Sequence, residues 1–187
     1  MTRPELWPRR TDRLELRPPT AAELESVLAW RNHPDVTRWL LHTEVDPAAF
    51  RAAWERAAAD PLDHSVVAVT DDGSVVGTLS VEVGDGMGQG PQSPARGSEG
   101  LLGYLLDPAH HGRGYATEML RAALDLAFDD LGLRRVTAGC FADNTASWRV
   151  MEKAGMRREQ HGIRDSWHAE LGWVDGLTYA VLADERR

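Results

Sequence analysis

The apolar positions of this chain switch repeatedly between two periods. RLELR (13–17) alternates apolar and charged residues, the period-two signature of a strand with one buried face. In PPTAAELESVLAWRN the period becomes helical. Leu24, Val27 and Leu28 fall on one face, with Thr20 at the capping position and Glu23 three residues on to complete a capping box. Asp46 and Pro47 open a second helix, carrying Phe50, Ala53, Trp54 and Ala57. Residues 65–83 hold two β-branched runs around Asp72-Gly73, a strong hairpin signal. The Gly-, Pro- and Ser-rich stretch 84–98 predicts a flexible loop. EGLLGYLLD (99–107) is almost wholly apolar, as in the buried centre of a sheet.

From Tyr115 the pattern turns helical again, with Met119, Leu120, Ala123, Leu124, Ala127, Phe128 and Leu131 in phase and Gly132 as the stop. RRVTAGCF (134–141) predicts a strand and NTASWRVMEKAG a short helix closed by Gly155. Two more strands are predicted near 156–161 and 173–183. There is no internal repeat and no linker. The expectation is a single α/β (α+β) domain over 1–187, with a mixed, mostly antiparallel central sheet of about seven strands flanked by helices.

Between the 99–107 strand and the Tyr115 helix stands HHGRGYATEM (110–119). Gly112 and Gly114 let a ligand approach the backbone, and the first helical turn offers unpaired N–H groups at the positive end of a dipole. That is a site for a pyrophosphate, although such turns also occur without a ligand. The loop is not the nucleoside-triphosphate type, which needs GxxxxGK and then Ser or Thr. The dinucleotide fingerprint GxGxxG fails as well, because Gly112-Arg113-Gly114 is followed by Thr117.

Composition narrows the partners. With 21 basic and 29 acidic residues the formal charge is −8, which argues against nucleic acid and suits cationic substrates such as amines. The single cysteine, Cys140, permits no internal disulfide and points to a reducing, cytoplasmic compartment. It lies in an apolar stretch and reads as a structural thiol. The N-terminus, MTRPELWPRR, lacks the apolar core of a secretory signal, and no apolar run approaches the ~18 residues that span a membrane.

GYLLDPAHHGRGYATEML resembles motif A of the GNAT superfamily of acetyl-CoA-dependent N-acetyltransferases. Their signature is Gln or Arg, two residues, Gly, one residue, then Gly or Ala. Here the register is His111, Gly114 and Ala116, with His111 in place of Gln or Arg. TDRLELRPPT, RNHPDVTRWL, NTASWRVMEKAGM and WVDGLTYAVLADE extend the resemblance along the chain to the RimJ/RimL branch, which acetylates protein N-termini and small amines.

The resemblance implies acetyl-CoA as co-substrate, no metal, and an amine acceptor, either a peptide N-terminus or a small amine. A homodimer is compatible with it. The backbone of Tyr104, Leu105 and Leu106 would pair with the pantetheine arm along a splayed sheet edge, one N–H polarising the thioester oxygen. His111, Gly112, Arg113, Gly114, Tyr115, Ala116 and Thr117 would wrap the pyrophosphate. Asn144 matches the family's cofactor-contacting Asn and also reads as a plain helix cap. Many members carry a Tyr seven residues after that Asn as the acid. Met151 stands there instead, so Ser147 becomes the candidate acid toward the CoA sulfur, against the alternative of a helix-surface serine.

The resemblance also ranks Glu82 and Glu99 first as the general base, since the ends of those strands border the acceptor cleft in the family, ahead of Asp165 and His168. Trp30, Trp39 and Trp54 read as core or as an acceptor wall. The functional expectation is an N-acetyltransferase. The alternatives are a non-catalytic acyl-CoA-binding module and a transferase of a larger acyl group.

Overall fold

The computed structural model describes residues 6–60 and 62–186, so the sequence reading of residues 1–5 lies outside the described residues. The chain forms two compact units. The first comprises Met1–Val81 and Gly103–Ala123, the second Glu82–Leu102 and Leu124–Arg187. Strands β4 (Val75–Gly84) and β5 (Glu99–Leu106) and helix α4 (Tyr115–Asp125) each contribute to both.

In the first unit the strand order is β1 (Arg9–Arg10), β2 (Leu14–Arg17), β3 (Val66–Thr70), β4 and the end of β5. The ladders from β1 to β4 are antiparallel. Asp72-Gly73 makes the predicted hairpin turn, with Gly73 at φ +86°. Hydrogen bonds from the Thr70 hydroxyl and from Ser74 hold the Asp72 carboxyl down at about 2. Helices α1 (Ala21–Arg31), α2 (Pro34–Thr37) and α3 (Pro47–Ala59) lie in the same unit. The capping box at Thr20 and Glu23 forms as the sequence predicts. Leu24, Val27, Trp30, Val36 and Trp54 pack with Val67 and Val69 into one core.

In the second unit the order is β5, β6 (Arg135–Phe141), β8 (Gly172–Leu182) and β7 (Arg157–His168). Only β5–β6 is parallel among the ladders described. Helix α5 (Thr145–Lys153) follows β6, and α4 ends in a wide π-turn over Leu126–Asp130 before Gly132 at φ +64°.

The result is a mixed α/β fold whose eight strands are mostly antiparallel. The sequence predicts about seven, and the extra strand is the two-residue β1, too short to show a period. β7 runs to His168 rather than stopping near 161, because a register shift between Gly162 and Ser166 breaks its alternation and most of it is exposed. The 84–98 loop folds back on itself. Gly86 N–H donates to the Ala95 carbonyl at 2.7 Å, and Gly97 N–H donates to Asp85 Oδ1 at 2.7 Å.

Candidate functional site

The glycine loop sits in the first unit. A one-turn 3-10 segment, Pro108–His110, capped by the Asp107 side chain, carries the chain from β5 into it. Gly112 and Gly114 have φ of +75° and +84°, backbone states that L side chains rarely adopt. Space beside Gly112 is open. Residues 111–114 are exposed, and Tyr115 begins an 11-residue helix. Glu118 N–H is the first to bond back, to the Gly114 carbonyl, so the N–H groups of Tyr115, Ala116 and Thr117 belong to the unpaired first turn. A loop of glycines opening onto such a turn fits a diphosphate.

A brace that sequence reasoning missed holds this loop. Arg13 Nη1 donates to the Arg113 carbonyl at 2.8 Å, and Arg13 Nε donates to Glu118 Oε2 at 2.8 Å. The guanidinium lies 4.6 Å from the Tyr115 ring centre. Thr11 Oγ1 and Arg13 N–H also donate to Glu118 Oε1. Burial by itself would raise the Glu118 carboxyl. The hydrogen bonds from Thr11 and Arg13 outweigh it and hold the group below its usual range.

A group depressed in the folded state contributes stability above its unfolded pKa and loses it as pH falls through the folded one. Glu118→Gln should therefore destabilise the protein at neutral pH, and the gap to wild type should close as pH falls below the ordinary value of 4.5. Urea melts across a pH series check this; a gap that ignores pH overturns it.

Tyr104, Leu105 and Leu106 are half-buried at the end of β5. In the first unit this end lies along β4, where Asp107 N–H donates to the Val76 carbonyl at 2.9 Å. A side chain at Gly77 would collide with the Leu105 carbonyl. The ladder of β5 with β6 covers Glu99–Leu101 and stops there. His111 turns its Nε2 to the Leu106 carbonyl at 3.3 Å. It thus ties the loop to the strand end, a backbone contact that does not need the family's usual Gln or Arg.

Asn144 and Ser147 lie in the second unit. Asn144 caps α5, its side-chain oxygen accepting from Ser147 N–H at 3.2 Å. The Ser147 side chain is half-buried and hydrogen-bonds the Cys140 thiol. Burial pushes that thiol up despite the bond from Ser147, so it stays protonated at neutral pH. Met151 is fully buried beneath the helix. Tyr179 is buried too. Its phenol is pushed up to about 12 by burial and by the bond it donates to Glu152 at 2.9 Å, which removes it as an accessible acid.

The base candidates also fall in the second unit. Glu99 is spanned by guanidinium groups: Arg134 donates to Oε1 at 3.2 Å and Arg135 to Oε2 at 2.8 Å. Arg135 also binds Glu159, so these charges fasten the start of the β5–β6 ladder. Glu82 is exposed near the end of β4 and forms no ion pair among the described residues. His168 is buried against Phe141, its Nδ1 accepting from Glu170 and Leu171 N–H across the β7–β8 turn. Asp165 lies in the β7 bulge beside Gly162. A pair not singled out by sequence, His161 and Asp175, is closed at 2.7 Å. Its members are 14 residues apart, so only strand pairing brings them together.

Trp30 and Trp54 are core residues of the first unit, and Trp54 Nε1 donates to the Thr20 carbonyl at 2.8 Å. Trp39 is half-buried under Arg38. An open hollow of about 640 Å³ borders α3, but none of the loop or cap residues lines it. Among the described residues no cluster of His, Cys, Asp and Glu is arranged to hold a metal ion, and no helix is long and apolar enough to cross a membrane.

Residues 13–157 match the family described as acetyltransferase (GNAT) domain. YjcK of Bacillus subtilis (strain 168), described as a probable N-acetyltransferase, is 36% identical over 130 residues, which span 68% of this chain and 66% of that protein. The fold is similar to that of spermidine N-acetyltransferase from Vibrio cholerae, solved with CoA and spermine. The TM-score is 0.77 at 14% identity, over 94% of this chain and 98% of that one. It is also similar to Mycobacterium smegmatis RimJ in complex with CoA-disulfide, with a TM-score of 0.76 at 23% identity, over 96% and 90% of the two chains.

Proposed function

Because the chain belongs to the GNAT acetyltransferase family, we propose that it is an acyltransferase of the RimJ/RimL-like branch, moving an acetyl group from acetyl-CoA to a primary amine. The observation that carries this is the loop of Gly112 and Gly114, both at positive φ, opening directly into the free first turn of α4. His111 to Thr117 hold the diphosphate, and the backbone of Tyr104, Leu105 and Leu106 takes the pantetheine arm. Asn144 contacts the cofactor and positions Ser147. The amine nitrogen attacks the thioester carbonyl carbon directly. As the new N–C bond forms the C–S bond breaks, and Ser147 gives its proton to the leaving sulfur.

The acceptor class is an amine, and the charge of −8 favours cationic ones. A protein N-terminus and a small amine are both within the branch, and the spermidine enzyme makes a polyamine one acceptor to try. The single cysteine, which permits no internal disulfide, supports a reducing, cytoplasmic compartment.

One observation favours a second reading, an acyl-CoA-binding module without catalysis: both oxygens of Glu99 are occupied by arginines. Two measurements separate the readings. Calorimetry should show acetyl-CoA binding in the micromolar range; no binding up to millimolar sinks both. Thiol release should appear with at least one of an alanine-terminated peptide, spermidine and kanamycin; binding with silence across all three selects the module.

A further inference from the structure

At one corner of the second unit, backbone strain, a strand bulge and an oriented histidine coincide. Arg164 has φ +49°, the only non-glycine among the described residues in the left-handed region. It sits where the β7–β8 register shifts between Gly162 and Ser166. The bulge is wrapped so tightly that a side chain at Gly162 would collide with the Asp165 carboxylate. This strain serves the Asp175 carboxylate. The Arg164 N–H donates to Asp175 Oδ1 at 2.9 Å, while His161 Nε2 lies 2.7 Å from Oδ2. Both carboxylate oxygens are engaged, and the imidazole is held by one nitrogen with Nδ1 left to exchange a proton. The ring is not buried packing, since its side chain is 43% exposed. Bulges and strained residues concentrate beside functional groups that they aim.

Strand register relates this pair to Ser147. His161 pairs with Leu177 across β7–β8, and Leu177 pairs with Cys140 across β8–β6, so the three side chains share one face of the sheet. Two strand spacings put the Cα atoms of Cys140 and His161 about 10 Å apart. The Cys140 thiol is bonded to Ser147. The Asp175 carbonyl also accepts from Ala142 N–H at 2.8 Å, which ties the same strand to the turn that launches α5. The buried Leu177 side chain stands between Cys140 and His161 on that face.

We propose that His161 is the general base for the acceptor amine and that Asp175 is the positioning residue that fixes its tautomer. The inference rests on the transferase reading. The ammonium form of the acceptor gives one proton to His161 Nδ1, which passes it to solvent. The amine then attacks, the N–C bond forms and the C–S bond breaks. The nitrogen loses its second proton to solvent through the same imidazole, while the CoA sulfur takes one from Ser147, which is reprotonated by solvent. The net products are the amide, the CoA thiol and one released proton. The titratable and charged groups around the corner are Asp175 on β8, Arg164 and Asp165 in the bulge, Arg158 on β7, Cys140 on β6 and Glu152 on α5, the last accepting from Tyr179.

The test is CoA thiol release by wild type, His161→Ala and Asp175→Asn from about pH 5 to about pH 9, with the alanine-terminated peptide, spermidine and kanamycin as acceptors. Calorimetry with acetyl-CoA and thermal melts run beside it. His161→Ala should lower kcat about 10²-fold, lose the acid limb of the rate profile and regain part of its rate with added imidazole. Its acetyl-CoA Kd and melting temperature should stay near wild type. Asp175→Asn should lower kcat about tenfold with the acceptor KM near wild type, the split expected when a base is misaligned rather than removed. An active wild type whose variants keep its pH profile and ignore imidazole overturns the base and leaves the transferase reading standing. A wild type that binds acetyl-CoA but is silent with all three acceptors overturns the transferase reading and the base with it.

Discussion

Replacing Gly114 by valine is expected to weaken acetyl-CoA binding by at least about 10²-fold, equivalent to about 2.7 kcal/mol. Gly114 has φ +84°, and its carbonyl accepts the first helical bond of α4, from Glu118 N–H at 3.2 Å. An L residue in the left-handed region is disfavoured by roughly 1–2 kcal/mol, and a β-branched one by more. Relief comes by rotating the peptide planes on either side, which turns the N–H groups of the first turn away from the diphosphate. The effect is one of backbone conformation rather than space, because a Cβ at this position meets only the tip of Arg13, Nη2, at an ordinary contact distance of 3.4 Å. Calorimetry reads the loss. A fall in melting temperature with an unchanged Kd would show that the loop keeps its shape and stores the strain. Unchanged values of both would remove the loop from cofactor binding.

Ser147→Ala is expected to lower kcat by about 10²–10³-fold while leaving the acetyl-CoA Kd within about twofold, the pattern of a lost general acid. The hydroxyl is fixed from two sides. Its own backbone N–H is capped by Asn144, and its side chain bonds the Cys140 thiol. Met151, at the position of the family's tyrosine, has no proton to give, and the Tyr179 phenol is buried and bonded to Glu152. Steady-state kinetics with saturating acetyl-CoA check this. A full rate in the alanine variant removes Ser147 from the chemistry, and a Kd change in step with kcat makes it a binding residue.

Much of the architecture was legible because it is local. The capping box of Thr20 and Glu23 spans four residues, and the Asp72-Gly73 turn two. The Gly112–Gly114 loop and the Asn144–Ser147 cap are contiguous for the same reason: their geometry is set by φ preferences and by hydrogen bonds between near neighbours. β7 resisted reading beyond about residue 161, since its exposed, bulged course shows no alternation.

The sequence by itself therefore determined the kinds of element, their caps and the family, because each is carried by adjacent or helically spaced side chains. Only the tertiary structure decided which charges meet. It paired Arg13 with Glu118, 105 residues away, turning a bare loop into a braced one. It gave Glu99 to Arg134 and Arg135, and it closed His161 on Asp175. Such pairings depend on strand register, where a one-residue slip changes every partner, and no short stretch of chain encodes that register.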